Sequence, residues 1–176
     1  MTAMYKSVRP MLDRLYLVSG VGASFFLIAI LLLIAAQMVA RWIGVVLTGA
    51  PHYTGYSMAA ASFLAMPYAL NKGAHIRVSL LLNALGRYRR IGEIWCFAVG
   101  SYLAVFFAYY AVKSTYESYR FNDISQGQDA SPIWIPQLAM CIGIVIFAIA
   151  FVDHLIGLVL IGDHNIDEEA LDANAE

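Results

Sequence analysis

From Val18 to Ala40 the chain runs 23 residues without a charged side chain, and Gln37 is the one amide among them. At a helical rise of about 1.5 Å per residue this segment reaches about 35 Å, enough to cross a hydrocarbon core about 30 Å thick. It is far longer than the apolar run of about 7–15 residues in a cleaved signal peptide. Three more apolar segments follow, Tyr53 to Leu70, Ile91 to Val112 and Ile133 to Ile161. The whole chain of 176 residues is 61% hydrophobic and 13% charged, against about 25% charged in a soluble domain. That leaves too little polar surface to solvate a globule. The expected fold is an all-α integral membrane protein with four transmembrane helices, at about 18–40, 53–70, 91–112 and 133–161, in one membrane domain over 18–161.

Each span carries its own punctuation. Residues 1–17 hold Lys6, Arg9 and Arg14, and Pro10 is expected to interrupt any early helix. Arg41-Trp42 closes the first span, where Trp prefers the headgroup region and Arg can extend toward it. Gly49 and Pro51 mark the turn into the second span. There Ser57, Ala61, Ala65 and Ala69 recur every four positions. In lipid, close backbone approach over small residues drives helix association, so Ser57, Ala61 and Ala65 form a candidate packing face. Pro67 removes the bond to the Phe63 carbonyl and is expected to kink this helix. Glu93 opens the third span within reach of Arg89, four residues away. The fourth span is expected to open at Ser131-Pro132, a cap followed by a tolerated proline, with Pro136 early enough to cost little. Its 29 residues to Ile161 exceed the core thickness, so it tilts or protrudes, with Asp153-His154 near one interface. The acidic tail 162–176 lacks aromatics and is expected to be disordered.

Between the second and third spans lies Asn71 to Arg90, the one long polar and basic interruption. Val78, Leu81, Leu82 and Leu85 follow the helical i, i+3, i+4, i+7 rule, with Ser79, Asn83, Gly86, Arg87 and Arg90 mostly opposite. A segment this short and polar is expected to lie in the interface plane as an amphipathic helix over about 77–88. Of the 11 basic residues, Lys6, Arg9, Arg14, Lys72, Arg77, Arg87, Arg89 and Arg90 fall on one side of a four-span topology. Arg41, Lys113 and Arg120 fall on the other. The more basic side is cytoplasmic, which puts both termini and the central stretch there.

Motifs for chemistry are absent from the sequence. There is no Walker loop, GxGxxG, HExxH or nucleophile elbow, so no catalytic residue, metal ligand or cofactor site is assigned. Cys96 and Cys141 sit in apolar runs at depths about 10 Å apart, against a disulfide, and read as small buried hydrophobes. Two imidazoles facing each other could hold a haem, and His75 and His154 both fall near the inner surface. A membrane anchor for a redox enzyme is therefore one alternative, and an unrelated small membrane interaction protein is another. The chain offers no paired charges at mid-span and no inverted repeat, unlike a self-sufficient transporter.

Over roughly residues 10–162 the chain resembles the small membrane subunit of tripartite ATP-independent periplasmic (TRAP) transporters, the DctQ-like family. The resemblance rests on Arg41-Trp42, on Leu70 to Val78 with Gly73 and the run His75-Ile76-Arg77-Val78, and on the Pro136-containing entry to the fourth span with Gly143 beyond it. Thr54-Gly55-Tyr56-Ser57 stands where family members often carry acids, and Met140-Cys141-Ile142 where many carry a proline. The resemblance implies a non-catalytic subunit of a bacterial inner-membrane importer. It implies a large multi-pass membrane subunit as partner, and a periplasmic solute-binding receptor. It also implies carboxylate-bearing solutes, and sodium coupling through the large subunit with no cofactor in this chain. On that reading the small subunit enlarges and anchors the scaffold, and Arg41, Lys113, Tyr116 and Arg120 are candidates for receptor docking.

Overall fold

A computed structural model describes residues 2–72, 89–127 and 130–160. The expected interfacial helix and acidic tail lie outside the described residues. Four helices account for nearly all of what is described: α1 (Thr2–Trp42), α2 (Ala50–Asn71), α3 (Arg89–Arg120) and α4 (Trp134–Leu160). The only β pairing among the described residues is an isolated antiparallel bridge between Ile124 and Pro132. Among the described residues three helices are long and apolar enough to cross a membrane: Arg9–Trp42, Ile91–Arg120 and Trp134–Val159. α2 does not meet that composition. Tyrosines, prolines and small residues dilute its apolar character.

Two boundaries differ from expectation. α1 runs unbroken through Pro10, because a proline in a helix forfeits one backbone bond but does not have to end the helix. α4 starts at Trp134 and not at Ser131-Pro132. The main chain there is used otherwise: Ser125 N–H donates to the Ser131 carbonyl at 2.8 Å and Ile133 N–H to the Asp123 carbonyl at 3.0 Å. The Ile133 carbonyl then accepts from Gln137 N–H at 3.2 Å, which makes Ile133 the cap. Pro136 falls in the first turn, where its missing N–H would have had no partner.

α1 and α3 end with one device. After α1, Gly44 has φ 79°, its N–H meets the Arg41 carbonyl, and Val45 N–H meets the Ala40 carbonyl at 2.8 Å. After α3, Asn122 has φ 51°, its N–H meets the Tyr119 carbonyl, and Asp123 N–H meets the Ser118 carbonyl at 3.0 Å. Both are Schellman terminations, which need a left-handed residue one place beyond the cap. Gly and Asn are the residues that adopt it most readily.

The helices pack in the spatial order α1–α2–α4–α3, with a lighter contact between α1 and α4. α1 runs antiparallel to α2: Asn71 Nδ2 reaches Asp13 Oδ1 at 3.5 Å at one end, and Gln37 Nε2 reaches Thr54 Oγ1 at 3.3 Å toward the other. α3 likewise runs antiparallel to α4, from Phe97 beside His154 to Tyr119 beside Trp134. Small residues line the seams. On α3 the inward positions are Glu93, Ser101, Ala104, Ala108, Thr115 and Ser118, spaced by threes, fours and their sums, which keeps one stripe facing a neighbour. Apart from Phe97, which packs inward, the bulky aromatics of α3 are exposed. This inverts the soluble pattern, because lipid does not penalise exposed apolar bulk and small residues let backbones approach. The middle of the bundle is an apolar cluster of Ala104, Ala108, Ile144 and Ala148, with Phe63, Phe147 and Phe151 packed on it.

Candidate functional site

Polar side chains gather at the two ends of the bundle. At the end where α2 finishes and α3 begins, Tyr16, Glu93, Asp153 and His154 are buried, at 0%, 7%, 7% and 0% exposure. The Tyr16 hydroxyl donates to Asp153 Oδ2 at 3.4 Å, which ties α1 to α4. The His154 ring lies 6.0 Å from the Phe97 ring, which ties α4 to α3. Glu93 is one turn before Phe97 on the same face of α3. Arg9 pairs with Asp13 at 3.9 Å, and Asp13 accepts from Asn71 of α2. All four helices therefore contribute to one polar layer, resting on the apolar cluster of Tyr16, Leu70 and Ala150. Unpartnered polar groups in a low-dielectric interior are costly, so such a layer fixes how the helices register.

At the opposite end the polar contacts hold the connecting segments. Tyr56 Oη and Ser125 Oγ are 2.8 Å apart, joining α2 to the segment between α3 and α4. Lys113 pairs with Glu117 at 3.9 Å with both about half exposed, a geometry worth little to stability. The Arg120 guanidinium sits 5.8 Å from the centre of the Phe121 ring.

Three close approaches set the helix spacing. A Cβ on Gly143 would fall 2.7 Å from the Phe63 carbonyl carbon and oxygen, so α4 meets α2 backbone to backbone. Phe63 is the residue whose carbonyl Pro67 leaves without its helical donor. The hydrogen Gly143 carries in place of a Cβ faces that oxygen, the geometry of a weak Cα–H···O contact. A Cβ on Gly20 would fall 3.0 Å from the Tyr68 ring, and one on Gly100 2.5 Å from the Phe151 ring. Between α1 and α2, the Ser19 hydroxyl donates to the Leu64 carbonyl at 2.6 Å.

The residues singled out from sequence fall as follows. Arg41 and Trp42 are exposed at the end of α1, Trp42 at 82%. Gly73, His75, Ile76, Arg77 and Val78 lie outside the described residues. Ala61 is buried at 5%, and Ser57 and Ala65 are half-buried. Lys113, Tyr116 and Arg120 are exposed within two turns of α3, while Arg41 stands on α1, across the α2–α4 pair from them. Asp153 and His154 lie at the expected end but inside the packing. Ser19, Gly20, Gly100 and the α3 seam do not emerge from the sequence reading. Their only signal is a three-and-four spacing of small residues. Cys96 and Cys141 are free.

Among the described residues no three His, Cys, Asp or Glu side chains gather in a way that could hold a metal ion. What the arrangement does is hold helices in register. No curated protein and no solved structure matches the chain. A family profile does: the one described as "Tripartite ATP-independent periplasmic transporters, DctQ component" matches residues 30–160, from the middle of α1 to the end of α4. A helical membrane chain matched over most of its length in this way belongs to the DctQ family, a component of a transporter and not an enzyme.

Proposed function

We propose that this chain is the static frame of a TRAP-type importer: a non-catalytic subunit that anchors and enlarges the scaffold of a large permease subunit. The observation that carries this reading is where the buried charge lies. Among the described residues the buried carboxylates, Glu93 and Asp153, are both at one end, and the mid-level of the bundle is uncharged: alanine, isoleucine and phenylalanine, with the Ser101 hydroxyl. A solute or ion pathway needs polar groups at the midplane, and a frame does not.

All four helices cross the membrane on this reading, α2 included. Its polar contacts with α1 at Asp13 and at Gln37 support this, since they make α2 run alongside a spanning helix for most of its length. Both termini are cytoplasmic, following the Lys/Arg asymmetry. The large permease carries the solute and sodium sites, and this chain carries no cofactor. A periplasmic receptor delivers an organic solute bearing a carboxylate, and Arg41, Lys113, Tyr116 and Arg120 help it dock.

Uptake by cells lacking the chain tests this. Labelled dicarboxylates, 2-oxo acids and sugar acids form the panel. Sodium-dependent uptake of at least one is expected to disappear in the deletion strain and return on complementation. Unchanged uptake of every member would overturn the reading.

A further inference from the structure

α3 presents a stripe that a lipid-facing helix has no use for. Directly opposite its small-residue seam stand Tyr102, Phe106 and Tyr109, with Tyr110 beside them, and all four are exposed: 69%, 50%, 64% and 49%. Their rings form a ladder. Tyr102 stacks on Phe106 at 6.3 Å, Phe106 meets Tyr110 at 4.7 Å, and Tyr110 meets Tyr109 edge-on at 5.4 Å.

Depth is the decisive point. α3 crosses as Ile91–Arg120, whose midpoint falls between Val105 and Phe106. At about 1.5 Å per residue, Tyr102, Tyr109 and Tyr110 lie within about 7 Å of that level. Measured from the apolar window 91–112 instead, they lie within about 13 Å of its middle, still inside a half-core of about 15 Å. Tyrosine favours the headgroup region, where its hydroxyl stays wet. These three hydroxyls make no hydrogen bond among the described residues, and facing hydrocarbon each would be stranded. α1 is the contrast. Its exposed stretch over residues 25–36 is Phe, Leu, Ile and Ala throughout, a surface suited to acyl chains.

We infer that the Tyr102/Phe106/Tyr109/Tyr110 face of α3 is the docking surface for a membrane helix of another polypeptide, one that offers hydrogen-bond acceptors within the hydrocarbon core. The face of α1 over residues 25–36 meets lipid. The inference rests on the proposed function in taking that polypeptide to be the large permease subunit. Phenol hydroxyls aimed at acceptors on a facing helix give such an interface polar specificity in a solvent that supplies none.

The test is photocrosslinking in native membranes with the full chain. Benzoylphenylalanine replaces Tyr102, Tyr109, Ile28 or Leu31 one at a time, and tagged chain is purified before and after illumination. The expected result is a covalent adduct with one large membrane protein from Tyr102 and Tyr109, and lipid adducts only from Ile28 and Leu31. A large protein that co-purifies but crosslinks only from Ile28 or Leu31 would overturn the docking surface and leave the proposed function standing. Crosslinks only between copies of this chain would overturn it in favour of a homotypic contact. No co-purifying membrane protein at any position would overturn both. A second variant keeps the rings and removes the hydroxyls: Tyr102→Phe/Tyr109→Phe/Tyr110→Phe is expected to reduce captured partner about tenfold, as three lost interhelical hydrogen bonds would. Undiminished capture by the triple variant would contradict the hydrogen-bonding role.

Discussion

Gly143 and Phe63 meet backbone to backbone, with no space for so much as a methyl group between α4 and α2: a Cβ there would stand 2.7 Å from the Phe63 carbonyl. The pair joins two sequence features that look unrelated, a proline in α2 and a glycine in α4. Pro67 leaves the carbonyl of Phe63 without its helical donor, and Gly143 lets α4 cover that oxygen. In lipid no water is available to do so.

Gly143→Ala is therefore expected to push α2 and α4 apart. Overpacking of this kind costs about 1–3 kcal/mol, and a backbone neighbour cannot yield as a side chain would. Gly55 is the control, since a Cβ there meets nothing within 4 Å. Thermal unfolding in lipid nanodiscs is expected to show a lower midpoint for Gly143→Ala and an equal or slightly higher one for Gly55→Ala, where a helical glycine gains a Cβ without a clash.

Asn122 ends α3 in the left-handed region, at φ 51°. Asn122→Gly is expected to be neutral or slightly stabilising. Asn122→Val, which resists that conformation, is expected to lose about 1–2 kcal/mol. Equal stabilities for the two variants would show that the Schellman geometry is not retained.

Ser19 places its hydroxyl 2.6 Å from the Leu64 carbonyl. Polar contacts between membrane helices average about 0.6 kcal/mol, so Ser19→Ala is expected to cost little. Ser19→Leu puts bulk into the α1–α2 seam and is expected to cost several times more. Ala61, buried at 5%, is expected to behave alike, with Ala61→Leu lowering the yield of assembled complex.

Lys113 is already paired with Glu117, so charge reversal at Arg120 and Arg41 gives the cleaner test of receptor docking. Arg120→Glu and Arg41→Glu are expected to slow uptake when receptor is limiting and to leave the amount of complex unchanged. Because Arg41 lies across the bundle from Arg120, the two effects are expected to add.

The helices are legible in the sequence because crossing a hydrocarbon core demands long uncharged runs, and Val18 to Ala40 or Ile133 onward has no other use. The seams are harder to read. Membrane packing selects for smallness, and Ala104 or Ser101 on α3 is as small as many residues that pack against nothing. The Ser57, Ala61 and Ala65 spacing on α2 is visible for its regularity, while the tightest α2–α4 contact, at Phe63, lies on a different stripe of that helix. α1 passes through Pro10 because a proline forfeits one helical bond without having to end the helix, and α4 begins after Pro132 because the main chain of Ser131 and Ile133 is bonded to Ser125 and Asp123 instead. Asp153 and His154 read as interfacial from their position near the end of a long span, yet α1 and α3 close over them with Tyr16 and Phe97. Only the fold brings those residues to one level.

Native mass spectrometry of the tagged chain, extracted from its own membranes in mild detergent, shows whether the chain stands alone or frames a larger protein. The expected species is an assembly in which one copy of this 19.4 kDa chain is bound to one copy of a much larger multi-pass membrane protein. A single stable species of 19.4 kDa, alone and monodisperse, would contradict it.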